Sequence, residues 1–137
     1  MTSFKGKYIL IKSENFEEYL KARGAGFMAI KMATALTPYL EINNEVDIWT
    51  LKVYTFIKTV IDMKFKLDEE FYHTRMDGTK CKVVIHIDGN KLIEEETPCN
   101  KPEDKQKNIR EWTDDNHVVL ILTCKDVVAK RYFERIE

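Results

Sequence analysis

Turn signals punctuate this chain so often that little room is left for helices. Asn43-Asn44, Asp68-Glu69, Asp77-Gly78, Asp88-Gly89-Asn90 and Asp114-Asp115-Asn116 are turn formers, because Asn and Asp bond to their own backbone and Gly accepts positive φ. They leave strands of roughly 6 to 10 residues between them. The Asp-Gly pairs are the strongest hairpin signals. Strand-like sequence begins at Phe4 to Lys12 and resumes at Tyr39 to Asn43. Strands in direct succession form an antiparallel meander. A long meander curls into a barrel, because closure removes exposed edges.

Helical periodicity is confined to a stretch near the N-terminus. Phe16, Tyr19, Leu20 and Arg23 repeat at i, i+3, i+4 and i+7, with Asn15 placed as an N-cap and Glu18 three residues on. Gly24 and Gly26 break that helix. A second one, from Phe27 to Leu36, puts Met28, Met32, Ala35 and Leu36 on one face and stops at Pro38. The expectation is an all-β domain with a small helix-turn-helix, spanning residues 1–137 without a linker. The polar stretch Asn100 to Asn108 reads as a hairpin tip entering a strand.

A chain of 137 residues is long enough to bury a core, and 44% hydrophobic with 33% charged content excludes intrinsic disorder. Against a nucleic-acid partner stands the balance of 22 basic and 23 acidic residues, a net charge of -1. No apolar run is long enough to cross a bilayer. Met1 to Lys7 lacks the pattern of a secretory signal, so a cytoplasmic location is expected. The cysteines Cys81, Cys99 and Cys124 read as free thiols, which suits a reducing compartment.

Two arginines are out of place. Side chains alternate across a strand, so a charge sharing a face with apolar neighbours points inward. From Val127 to Ile136 one face carries Val127, Ala129, Arg131 and Phe133, and the other carries Val128, Lys130, Tyr132 and Glu134. Arg131 is therefore a candidate inward guanidinium. Gln106, Asn108, Arg110 and Trp112 share another face, which places a second arginine among amides and an aromatic. A guanidinium does not lose its proton, so burying one unpaired is costly. Each requires an anion, either the head group of a ligand or an internal Glu or Asp. Spacing alone does not separate these two.

Other candidates for chemistry are weaker. His73, Cys81 and His86 fall in one hairpin without a zinc-ligand spacing, and His117 lies beside a turn. Glu94-Glu95-Glu96 reads as a solvated edge with carboxylates on both faces and not as an acid/base pair. There is no Gly-rich phosphate loop and no nucleophile motif. No catalysis, metal or cofactor is expected.

The stretch Gly6-x-Tyr8-x-Leu10, followed after four residues by Asn15-Phe16-Glu17-x-Tyr19-Leu20-x-x-Arg23, is a specific pattern. Supporting it are Phe65-Lys66-Leu67, Glu69-Glu70-Phe71, Asp77 to Lys82, Asp88 to Leu92 and Asp126 to Phe133. Together, over the whole chain, these resemble the intracellular lipid-binding protein family, which includes the fatty-acid-binding and cellular retinoid-binding proteins. The resemblance implies a ten-stranded antiparallel up-and-down β-barrel, a β-clam capped by the helix-turn-helix over a water-containing cavity. It also implies a monomeric, non-catalytic carrier.

In acid-binding members of that family the carboxylate meets two arginines and a tyrosine. Arg110 and Arg131 match the arginines, whereas the tyrosine position is Phe133. Tyr132 is adjacent, but alternation points it the opposite way. Retinol-binding relatives carry Phe there too, together with glutamines where this chain has both arginines, so a carboxylate-bearing lipid is expected over a neutral one. The match places Phe16, Tyr19, Ala33, Pro38 and Phe56 at the entrance and cavity wall, with Leu120 and Leu122 deeper. Ordinary core packing is the alternative for each. The segment from Thr55 to Phe65 holds an extra residue relative to the family. The expected cargo is a long-chain fatty acid, with retinoic acid as the alternative, and membrane contact is at most transient.

Overall fold

A computed structural model describes residues 3–137. Its elements are β1 (Gly6–Glu14), α1 (Phe16–Ala22), α2 (Phe27–Ala35), β2 (Tyr39–Glu45), β3 (Ile48–Tyr54), β4 (Thr59–Phe65), β5 (Phe71–Thr74), β6 (Lys80–Asp88), β7 (Lys91–Pro98), β8 (Gln106–Asp114), β9 (His117–Cys124) and β10 (Val127–Arg135). All ten strands form one sheet in the order β4-β3-β2-β1-β10-β9-β8-β7-β6-β5, with antiparallel neighbours. Pairing of β1 with β10 joins the start of the meander to its end, so the sheet curls into a nearly closed barrel. No ladder joins β4 to β5; there the Phe65 and Phe71 rings stack 5.4 Å apart. The expected barrel with a helical cap is the fold that forms.

Alternation along the strands sorts the side chains. On β6, for instance, Cys81, Val83 and Ile85 are buried while Lys80 and Lys82 are exposed. One end of the barrel is a dry core of Phe4, Tyr8, Leu40, Ile42, Leu51, Phe65, Trp112 and Phe133. Within it Trp112 Nε1 donates to Tyr8 Oη at 3.0 Å, and Tyr8 Oη donates to the Phe4 carbonyl at 2.9 Å. Under the helices a smaller cluster gathers Tyr19, Leu122 and Ala129, flanked by Phe16 and Leu20. Gly6, at φ 155, lets the chain ends cross, since a Cβ there would lie 2.9 Å from the Glu137 carbonyl oxygen.

Local details differ from expectation. Asn43-Asn44 is strand, not turn; β2 pairs Leu40 with Val53 and Ile42 with Leu51, and this register moves the reversal to Val46-Asp47. Register follows the buried face, because a slip would turn Leu40 and Ile42 outward. Asn15 does precede α1, but in a left-handed conformation (φ 57) without a side-chain cap bond. N-cap acceptance needs an extended backbone at that residue. Instead, Asn15 Nδ2 donates to the Val128 carbonyl at 3.3 Å, tying the helix to β10. The second helix ends at Ala35, with Leu36 already extended.

Candidate ligand-binding site

Residues paired across neighbouring strands share a face, so the interior is built in rows. One row runs from Leu92 on β7 through Arg110, Leu120 and Arg131 to Ser13 on β1. Both arginines are thus register partners of Leu120, and two strand spacings put their α-carbons about 10 Å apart. The next row toward the dry core is Trp112, Val118, Phe133 and Leu10. Toward the helices comes a row of Glu94, Asn108, Leu122 and Ala129, and then Glu96 opposite Gln106.

The two arginines differ in their partners. The Arg131 guanidinium lies 3.7 Å from the Phe16 ring centroid, and its Nε donates to Ser13 Oγ at 3.0 Å. None of the ion pairs among the described residues includes it. Burial alone pushes its pKa down to about 10, so it stays charged at neutral pH. Arg110 is 3% exposed and its Nη1 donates to Glu94 Oε1 at 3.0 Å. Burial pushes the Glu94 carboxyl above its ordinary range; Arg110 opposes this and the neighbouring Glu96 adds to it.

The run Glu94-Glu95-Glu96 is therefore not a solvated edge. β7 lies between β6 and β8, and Glu94 and Glu96 face the interior at 4% and 6% exposure, while Glu95 alone faces out. The signal was present in the sequence: Leu92, Glu94, Glu96 and Pro98 alternate, and Leu92 marks that face as inward. Glu96 pairs with Arg75, which precedes the Asp77-Gly78 turn, and accepts from Cys81 Sγ at 3.5 Å. Across the ladder from Glu94, the buried Asn108 Oδ1 has no hydrogen-bond partner among the described residues.

A hydrogen-bonded knot fastens α1 over this wall. Arg23 Nη1 donates to Tyr19 Oη at 2.9 Å and to Gln106 Oε1 at 2.6 Å, and Gln106 Nε2 also donates to Tyr19 Oη. Burial opposes the Arg23 charge, but the Tyr19 bond and the field of Glu96 leave its pKa raised. The other residues expected around a cavity are spread widely. Phe16 and Tyr19 stack with ring centroids 6.2 Å apart, Leu120 is half-buried between the two core clusters, and Leu122 lies under the helices. Ala33 is half-buried on α2, and Pro38 is buried, its carbonyl accepting from Leu10 N at 3.2 Å. Phe56, in the β3–β4 connection, is 85% exposed.

Residues 5–135 match the model of the Lipocalin / cytosolic fatty-acid binding protein family. The chain belongs to that family. It is 39% identical over 132 residues to the sodium/calcium exchanger regulatory protein 1 of Doryteuthis pealeii, covering 96% of each protein. To cellular retinoic acid-binding protein 2 of Mus musculus it is 37% identical over 138 residues, covering 98% of this chain and 99% of that one. The solved fatty acid-binding protein from brain tissue of Drosophila melanogaster superposes with a TM-score of 0.85 at 39% identity, covering 96% of this chain and 99% of that chain.

Proposed function

We propose that this chain is an intracellular, non-catalytic carrier that holds a carboxylate-bearing lipid inside the barrel with its head group at Arg131. The observation carrying this reading is a half-buried guanidinium on the Arg110–Leu120–Arg131 row with an aromatic ring over it and no carboxylate partner among the described residues. An alcohol or ester would leave that charge uncompensated, whereas a carboxylate meets it with charge-assisted hydrogen bonds. Arg110 lies in the same row, with its guanidinium paired to Glu94. Burying the alkyl chain supplies about 0.8 kcal/mol per methylene. A long-chain fatty acid fits this chemistry. Retinoic acid is the second reading, favoured by the 37% identity to a retinoic acid-binding relative over nearly the whole chain.

Delipidated protein titrated with oleic acid, methyl oleate, oleyl alcohol and retinoic acid tests the proposal. Oleic acid is expected to bind at least about tenfold more tightly than its ester, and Arg131→Gln is expected to erase most of that preference. Equal affinities for acid and ester, or equal losses on substitution, would remove the carboxylate role. Retinoic acid binding well above oleic acid would choose the second cargo.

A further inference from the structure

We propose that Glu94 is a specificity-determining residue of the barrel's inner face, a built-in counter-ion that withholds Arg110 from the ligand and leaves Arg131 as the one cation that receives a carboxylate. This rests on the reading of the barrel as a carrier of carboxylic acids.

The interior charges carry the argument. Two guanidiniums of the barrel wall, Arg110 and Arg131, and a third from the β5–β6 turn, Arg75, lie near two inward carboxylates, Glu94 and Glu96. Arg75 pairs with Glu96 and Arg110 pairs with Glu94, which leaves Arg131 and Arg23 without a carboxylate partner among the described residues. Arg23 stands at the helical end, committed to Tyr19 and Gln106.

A ligand carboxylate reaching Arg110 would have to evict Glu94. The two side chains of that pair are only 4% and 5% exposed, so an evicted Glu94 would have no water to turn to. Its register partners are uncharged, Ile85 on β6 and Asn108 on β8, and the neighbouring Glu96, a like charge on its own strand, already holds Arg75. An ionised carboxylate left there is costly, so eviction requires Glu94 to take up a proton. Arg131 imposes no such cost.

Laurate, monomeric and ionised at neutral pH, is a suitable probe, with lauryl alcohol as the control. The double variant Glu94→Gln/Arg110→Gln removes one charge of each sign, and is expected to bind laurate within about threefold of wild type. Arg131→Gln is expected to lose about tenfold or more, and Glu94→Gln alone to gain up to about tenfold by freeing Arg110. A double variant that loses as much as Arg131→Gln would show that Arg110 holds the carboxylate, overturning the proposal. A measurement on the wild-type protein needs no variant to fold: calorimetry in buffers of different ionisation enthalpy counts protons taken up with laurate. The expected count is about zero, and a count near one proton overturns the proposal by showing that Glu94 is evicted. Laurate and lauryl alcohol binding equally to wild type would instead sink the carboxylic-acid reading, and the counter-ion role with it.

Discussion

Phe133 lies two residues along β10 from Arg131, on the same face, and is 3% exposed in the cluster that contains Trp112 and Val118. A hydroxyl added there lies one register row from Arg131. Phe133→Tyr is expected to tighten laurate binding by about tenfold or less while leaving lauryl alcohol unchanged, as read by probe displacement. Weaker binding of both ligands would place the new hydroxyl in dry packing. Cys81 gives a second prediction at this scale. Burial first, and Glu96 second, push its thiol up to about 11, so it carries almost no thiolate at neutral pH. Iodoacetamide is expected to label the exposed Cys99 in the native protein and to reach Cys81 only after unfolding, as peptide mass spectrometry would show. Both arginines were legible in the sequence because strand alternation is local. Their partners were not, because Arg110 finds Glu94 across a ladder 16 residues away, and only the register says which acid sits beside which base.

At the level of elements the chain declares its hairpins well wherever turn chemistry and hydrophobic register agree. Asp88-Gly89-Asn90 falls between β6 and β7, with Gly89 at φ 61, and Asp114-Asp115-Asn116 falls between β8 and β9. Between β2 and β3 the two disagree, and the register prevails. Asparagines suited to a turn are held in the strand, and Val46 is forced to φ 59 while 93% exposed. A β-branched residue in that conformation is strained by roughly 1–2 kcal/mol. Val46→Asn is therefore expected to stabilise the protein by about 1 kcal/mol, raising the urea midpoint with no change in slope. An unchanged or lower midpoint would mean that the strain is not stored at this turn. Asn15 reflects the same limit of local reading. Its position before α1 follows from the sequence, but its bond to Val128 depends on β10 lying beside the helix, 113 residues later.

On the scale of the whole molecule, the charge of the two helices bears on how the proposed cargo would leave. Between Glu14 and Leu36 the acids are Glu14, Glu17 and Glu18 and the bases Lys21, Arg23 and Lys31, so three minus three leaves no net charge. The fold reduces the free bases further. Arg23 is turned inward to Tyr19 and Gln106, Lys21 lies 3.6 Å from Glu17, and Lys31 sits over the Phe27 ring. Attraction to an anionic surface amounts to about 1 kcal/mol per nearby basic residue, and here little of it is left. Phe27, Met28 and Met32 on α2 are 73%, 69% and 49% exposed and offer some apolar contact. Even a whole myristoyl chain, however, gives only marginal and reversible membrane binding, and three side chains bury less than that. We therefore expect cargo to leave by diffusion through water, with the lid opening as a gate. Transfer of a fluorescent fatty acid to vesicles should proceed at a rate independent of vesicle concentration and of added anionic lipid. Glu17→Lys/Glu18→Lys, which gives the lid four added units of positive charge (two per substitution), should then make the rate rise with both. A wild-type rate that already climbs with vesicle concentration would show that the exposed face of α2 docks on membranes without electrostatic help.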